Sequence, residues 1–124
     1  MIAADRANNL AGLTILVVED EMLVAIDYCE RLVEAGAEIV GPFTSVSQAM
    51  KSVDTSDFDV AVLDYALADE TSDPLQIALE RRHIPFVVIT GYPRVLVRRT
   101  KDQAVLTKPI SAKTLCETIK AACS

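Results

Sequence analysis

Four short apolar segments of the chain each end beside a polar residue with a definite chemistry. The segments are rich in Val, Ile and Leu, which is typical of strands buried on both faces of a parallel sheet. The polar residues are Glu19 and Asp20 after segment 14–18, Asp64 after 60–63, Thr90 after 86–89, and Lys108 before Pro109. Because ligands bind beyond the carboxyl ends of such strands, we expect these side chains to meet at one edge of the sheet.

Helical spacing and capping residues account for the stretches between the strands. A first helix is expected from about Met22 to Ala35, before Gly36. Its apolar positions are Leu23, Ile26, Cys29 or Leu32, and Val33. Ser45, Asp73 and Ser111 are expected to cap three further helices, over about 46–53, 74–82 and 112–122.

The strands are expected over 13–18, 38–43, 58–63, 85–90 and about 104–107. The run after Gly91 leaves room for at most a short or irregular fourth helix. This βα order, repeated five times with right-handed crossovers, predicts a flavodoxin-like (βα)5 fold, a doubly wound parallel sheet of strand order 2-1-3-4-5. A chain of 124 residues is expected to form one domain without an output module, with a core over about 13–122 and an N-terminal extension over 1–12.

The acidic composition limits the classes of partner that the chain is expected to bind. A formal net charge of -6 argues against nucleic acid or an anionic membrane and favours a protein or a small phosphorylated molecule. No segment has the length or composition of a membrane span or signal peptide, so we expect a cytoplasmic protein. Cys29, Cys116 and Cys123 lie on predicted helices without metal-site spacing, and we expect them to be buried as small apolar residues.

The chemistry expected at the sheet edge is metal-assisted phosphoryl transfer. Clustered carboxylates repel one another, and Mg2+, which prefers oxygen ligands, would offset the charge of Glu19, Asp20 and Asp64. Asp64 would then act as the nucleophile that becomes an acyl phosphate. Thr90 and Lys108 would bind phosphoryl oxygens, and Pro109 would direct Lys108 through a cis peptide.

Each residue also has an ordinary alternative. Glu19 and Asp20 could complement the dipole of the following helix, and Asp64 could be a turn residue. Thr90 with Gly91 could be a common strand exit, and Lys108 with Pro109 could be no more than a common dipeptide. The joint occurrence of these residues at four strand ends favours the site.

The chain resembles a response-regulator receiver domain over about residues 13–122. The matching segments are 17–21 (VVEDE), 62–64 (VLD), 88–91 (VITG) and 106–109 (LTKP). The resemblance implies a bacterial two-component protein in which Asp64 accepts phosphoryl from a histidine kinase. It further implies that Mg2+ is bound by Glu19, Asp20, Asp64 and the backbone carbonyl of Ala66.

Further segments resemble the FATGUY subgroup of alphaproteobacterial receivers, which are often served by HWE-type histidine kinases. These are 85–92 (PFVVITGY), 40–42 (VGP) and 63–67 (LDYAL), followed by Glu70. The sequence departs from the nickname, since Val88 and Ile89 stand where Phe and Ala are called for.

Two departures bear on signalling. Val105 stands where receivers usually carry an aromatic switch residue, so Thr90 and Tyr92 remain as switch candidates beside it, with Tyr92 as an ordinary edge aromatic the alternative. Ala66 has no side chain that could orient a water against the acyl phosphate, so we expect slow self-dephosphorylation.

The leading hypothesis is a stand-alone phosphorylation switch that reshapes the surface near strands four and five and catalyses only transfer to itself. The sequence leaves three other roles open, namely a phosphate sink, a shuttle to a phosphotransfer protein and a constitutive docking module. It also leaves open whether the chain forms a homodimer. Two other functions are disfavoured. An aspartyl-phosphate hydrolase would need an aspartate at position 66, where this chain has alanine, and a flavodoxin-type module would have its flavin phosphate repelled by acidic residues 19–21.

His83 is expected in an exposed loop. The basic residues form either a solvated face or a docking surface for an acidic partner; they are Arg94, Arg98, Arg99 and Lys101.

Overall fold

The computed structural model describes residues 9–91 and 103–124. The described strands are β1 (Thr14–Val18), β2 (Glu38–Phe43), β3 (Val60–Asp64), β4 (Ala66–Leu67), β5 (Glu70–Thr71), β6 (Phe86–Thr90) and β7 (Gln103–Thr107). The described helices are α1 (Met22–Glu34), α2 (Val46–Thr55), α3 (Asp73–Arg81) and α4 (Ala112–Ala122).

The main sheet is parallel and has five strands in the order β2-β1-β3-β6-β7. If the two short strands β4 and β5 are left aside, this is the predicted 2-1-3-4-5 order, so the flavodoxin-like prediction is confirmed. The crossover reverses direction between β1 and β3, whose carboxyl ends therefore border a crevice. The antiparallel pair β4-β5 lies directly after β3, and the sequence analysis did not predict it.

The core consists of two apolar clusters, one on each face of the main sheet. Successive residues of a strand point to opposite faces, so Leu63 belongs to one cluster and Val62 to the other. The helices α2 and α3 contribute Val46 and Leu75 to the first cluster, whereas α1 and α4 contribute Leu32 and Ile119 to the second. Burial on both faces explains why β3 and β6 are apolar at every position except their last.

The helix α1 forms where expected, but only some of its predicted apolar positions pack into the core. Its buried residues are Ala25, Tyr28 and Leu32. Leu23, which is 83% exposed, lies outside the core, and so do the exposed side chains of Ile26 and Val33. The spacing of apolar residues predicted the helix, and the tertiary contacts selected the packed face.

Two of the three predicted caps are confirmed. The hydroxyl of Ser45 accepts from the backbone N–H of Gln48 at 3.3 Å, and the hydroxyl of Ser111 accepts from that of Thr114 at 3.1 Å. The third prediction was wrong, because Asp73 is the first residue of α3 and Ser72 stands at the cap position. The Ser72 hydroxyl accepts from the side-chain amide of buried Gln76 and does not cap the helix.

Gly41 lies at an irregularity in the pairing of β2 with β1. Its φ is +109°, and a Cβ atom here would lie 2.9 Å from both the carbonyl oxygen of Val17 and the backbone nitrogen of Phe43. The register of the β1-β2 pair shifts at this point, so that Val18 pairs with Phe43. The backbone N–H of Glu19 then donates to the carbonyl of Phe43 at 2.9 Å, which fixes the start of the loop after β1.

Several other predictions can be placed on this fold. Cys116 is buried and Cys29 partly so, but Cys123 is exposed at the C-terminal end of α4, so the prediction of burial was wrong for Cys123. The short fourth helix, Tyr92 and the basic residues 94–101 lie outside the described residues. Among the described helices, none has the length and apolarity to cross a bilayer.

Candidate phosphoryl-acceptor site

The polar strand ends meet at one edge of the main sheet. Asp64 is the last residue of β3, Thr90 is the last residue of β6, and Glu19 follows β1 directly. The parallel register aligns these ends, because Val18 pairs with Leu63 and Asp64 pairs with Ile89. The backbone N–H of Lys108 donates to the carbonyl of Thr90 at 2.8 Å and brings the end of β7 to the same edge.

Three carboxylates lie together in the crevice between β1 and β3. One oxygen from each of Glu19, Asp20 and Asp64 lies within 4.8 Å of the others. Glu19 is 1% exposed and Asp64 is 6% exposed, whereas Asp20 is more open to solvent. At an effective dielectric constant of about 20, two unit charges at such a separation repel by about 3.5 kcal/mol. The three carboxylates therefore destabilise one another in the folded protein, so their clustering points to a role other than stabilising the fold.

Lys108 supplies a positive charge to the two most buried carboxylates. Its Nζ lies 3.1 Å from Oδ1 of Asp64 and 3.5 Å from Oε1 of Glu19. The other carboxylate oxygen of Glu19 accepts from the backbone N–H of Glu21 at 3.0 Å. One ammonium thus bridges β1 and β3 from the end of β7.

Burial and mutual repulsion shift the proton affinities of these groups. Burial, and secondarily the charge of Asp64, raises the pKa of Glu19 to about 7, against the opposing effects of the Glu21 N–H and Lys108. Burial also raises the pKa of Asp64, although Lys108 acts in the opposite direction. Burial would lower the pKa of Lys108, but its close pairing with Asp64 and the negative charges of Asp64 and Glu19 raise it. The two buried carboxylates are therefore held in the ionised form at an energetic cost.

The donor set fits a hard divalent cation. Oδ1 of Asp64 is buried and, apart from its ion pair with Lys108, accepts no hydrogen bond of good geometry from the described residues. Three clustered carboxylates match the oxygen ligands that Mg2+ prefers, and Mg2+ keeps several waters besides. Bound there, such an ion would neutralise the oxygens of a phosphoryl group. Ala66, the implied carbonyl ligand, is the first residue of β4 and lies two residues beyond Asp64.

Of the remaining predicted site residues, some lie at the same edge of the main sheet as Asp64, and Val105 lies in the apolar core. Thr90 is 1% exposed at the end of β6, and the Lys108–Pro109 peptide is cis as expected. Val105 is buried in mid-strand, in the same apolar cluster as Leu63, and so belongs to the core. Tyr92 lies outside the described residues.

His83 lies away from the carboxylates, as the sequence analysis expected. It is exposed in the loop after α3 and lines a cleft of about 730 Å³ together with Pro85 and Ala122. That cleft is at the amino-terminal end of β6, whereas Asp64 is beside the carboxyl end of the same strand.

Tyr28 is a residue of this region that the sequence analysis missed. It is 8% exposed on the packed face of α1, and burial raises the pKa of its hydroxyl to about 12, with the charges of Lys108, Glu19 and Asp64 acting on it as well. Tyr28 lies three residues after Ala25 and four before Leu32, and this helical spacing could have predicted that it lies on the packed face.

The comparisons with known proteins agree with this geometry. No family model matches the chain. The transcriptional regulatory protein PdtaR of Mycobacterium tuberculosis is 32% identical over 115 residues. This match covers 89% of the chain and 56% of PdtaR, so the chain spans about half the length of that curated relative.

Two solved structures cover nearly the whole fold. The solution structure of SdrG from Sphingomonas melonis Fr1 is 35% identical, has a TM-score of 0.76, and matches over 90% of this chain and 95% of that one. The receiver domain of the PhyR response regulator from Erythrobacter litoralis is 26% identical, with a TM-score of 0.77 and 91% of each chain covered. With this likeness over almost the full length of both, and with the acidic crevice on the same fold, the chain belongs to the response-regulator receiver family.

Proposed function

We propose that the chain is a phosphorylation-dependent response regulator in which Asp64 accepts a phosphoryl group from a histidine kinase with the help of Mg2+. The observation that carries this proposal is the position of Asp64. Its carboxylate lies at a crevice between strand ends, 3.1 Å from the ammonium of Lys108 and in reach of two further carboxylates. A purely structural aspartate would not need this arrangement of opposing charges.

The transfer step uses only groups that the site and a phosphohistidine supply. A carboxylate oxygen of Asp64 attacks the phosphorus, and the P–N bond of the phosphohistidine breaks as the new P–O bond forms. The electron pair of the broken bond stays on the imidazole nitrogen. Positive charge near Asp64 favours the ionised nucleophile and, as the transfer proceeds, the phosphoryl oxygens.

Lys108 and Thr90 would respond to the new group. Once Asp64 is an acyl phosphate, Lys108 can bind a phosphoryl oxygen in place of the carboxylate. Thr90 lies at the neighbouring strand end, and its hydroxyl is of the kind that donates to such an oxygen. Movement of these two residues would alter the surface around the ends of β6 and β7, where we place the output face.

The test is covalent labelling with a small phosphodonor. Incubation of the protein with acetyl phosphate and Mg2+ should add one phosphate, detected by intact-protein mass spectrometry. Asp64→Asn should abolish the adduct, because the amide is a poor nucleophile. Chelation of Mg2+ should suppress labelling of the wild-type protein.

The matched control is Asp57→Asn, which changes an exposed aspartate in the loop between α2 and β3. This variant should label like the wild type. An adduct that persists in Asp64→Asn, or labelling that does not depend on Mg2+, would refute the proposal.

The partners follow from this chemistry. We propose a histidine kinase, with the HWE type implied by the subgroup resemblance, or a phosphotransfer protein as phosphodonor, and a cytoplasmic location for the exchange. The small side chain of Ala66 supports slow loss of the phosphate, which a half-life of seconds would contradict. We further propose that residues 1–124 act as a single receiver unit.

A further inference from the structure

A short hairpin connects the phosphoryl-acceptor strand to α3. In it β4 pairs with β5, with Ala66 opposite Thr71 and Leu67 opposite Glu70. Ala68, one of the two turn residues, has a φ of 56°, a region that non-glycine residues enter only where the surrounding structure holds them. The hairpin is thus a specific structure, and the implied carbonyl ligand lies within it.

The base of the hairpin is anchored to the main sheet. The backbone N–H of Tyr65 donates to the carbonyl of Ile89 in β6 at 2.8 Å, and the N–H of Ser72 donates to the carbonyl of Tyr65 at 2.8 Å. Bonded and non-bonded pairs alternate along an antiparallel ladder, so the next pair, Ala66 with Thr71, does not bond across. The carbonyl of Ala66 therefore points away from β5 and not across the hairpin.

The far part of the hairpin is anchored to α2 through Glu70. Oε2 of Glu70 accepts from the backbone N–H of Val46, the first residue of α2, at 3.2 Å. Ser45 caps a different N–H of the same helix, that of Gln48. A carboxylate at this end also interacts favourably with the helix dipole. Opposite Glu70, Leu67 is fully buried in the cluster that contains Val46.

We propose that Glu70 is a positioning residue for Mg2+ binding, because its bond to α2 holds in place the hairpin that carries the carbonyl of Ala66, the implied backbone ligand. Glu70 is not one of the three clustered carboxylates and acts on the ion through the backbone. The inference rests on the proposed function, since it assumes that Mg2+ binds at Glu19, Asp20 and Asp64.

The experiment is a titration of the phosphate-free protein with MgCl2, followed by the amide NMR signals of Asp20 and Tyr65. Glu70→Ala should raise the Mg2+ dissociation constant about tenfold, the lower end of the effect of losing an outer contact that orients a ligand. Glu70→Gln, whose amide oxygen can accept the same bond, should stay within about twofold of the wild type. The amide signal of Val46 reports directly whether the bond is present.

The matched control is Ser45→Ala, which removes a cap from the same end of α2 but leaves the hairpin's bond in place. Its Mg2+ affinity should remain that of the wild type even though its stability falls. Wild-type affinity in Glu70→Ala would overturn the inference. Equal weakening in Ser45→Ala would overturn it as well, and so would a Glu70→Gln variant as weak as Glu70→Ala. Failure of the wild-type protein to bind Mg2+ would refute the proposed function itself.

Discussion

The interior of β3 and its carboxyl end show two opposite uses of burial. Leu63 and Asp64 are neighbours in one strand, and both are almost inaccessible to solvent. Leu63 packs into an apolar cluster, whereas Asp64 faces Glu19, Asp20 and Lys108. Burial of the first side chain stabilises the fold, and burial of the second opposes it because a desolvated carboxylate is placed beside others. Residues such as Leu63 therefore stabilise the fold, whereas residues such as Asp64 are kept in position by the stability that the core provides.

The largest effect on stability is expected inside the strand. Leu63→Ala removes a fully buried side chain from the cluster that also contains Leu75 and Val88. The free energy of unfolding should fall by about 3 kcal/mol, from the lost transfer energy and the cavity left behind. Urea denaturation followed by circular dichroism measures it, and a loss below about 1 kcal/mol would contradict the assigned packing.

The next effect concerns pH and the charged end of the site. Because the pKa of Glu19 is raised to about 7 from 4.5, the folded protein keeps a proton here that the unfolded chain releases as the pH rises between these values. Without Mg2+, the contribution of Glu19 should therefore reduce the free energy of unfolding by about 3 kcal/mol from pH 4.5 to above 7.

The measurement compares wild type with Glu19→Gln, which cannot titrate, by denaturation at several pH values. The difference in stability between the two proteins should grow in favour of Glu19→Gln over this window. A constant difference, or one of the opposite sign, would show that Glu19 is not held in a carboxylate-disfavouring environment.

Binding of Mg2+ should restore part of the free energy of unfolding that the ionised carboxylates remove. An ion that binds only the folded protein stabilises it by about 1.4 kcal/mol when present at tenfold its dissociation constant. Thermal denaturation of the wild-type protein with and without MgCl2 should show this gain. Asp20→Asn should reduce it, because the variant loses one of the three clustered carboxylates. The same stabilisation in Asp20→Asn would place the ion elsewhere.

The smallest effect is expected for an apolar residue that does not pack. Leu23 is 83% exposed on α1, so Leu23→Ser should change the free energy of unfolding by no more than about 0.5 kcal/mol. This variant is the counterpart of Leu63→Ala under the same denaturation conditions. A large loss would mean that the exposed face of α1 contributes to the fold.

Much of the architecture could be predicted because it depends on local patterns. Strands buried on both faces have to be continuously apolar, and this pattern predicted the sheet and the residues that end its strands. The caps at Ser45 and Ser111 followed from side chains that serve backbone groups a few residues away. Asp73 failed as a cap because α3 begins one residue earlier than expected, which puts Asp73 inside the helix and Ser72 at the cap position.

The tertiary structure decided which residues meet, since this depends on contacts between distant segments. It selected the packed face of α1, brought Tyr28 toward the charged crevice, and folded residues 66–71 into a hairpin. It also gave Glu70, an acidic residue noted only through a resemblance, a partner 24 positions earlier at the start of α2. The sequence by itself determined the strands and the chemistry at their ends, because periodicity and residue type are local. The packing geometry alone decided how that chemistry is supported, because a glutamate that bonds to a distant segment and one that does not are identical in sequence.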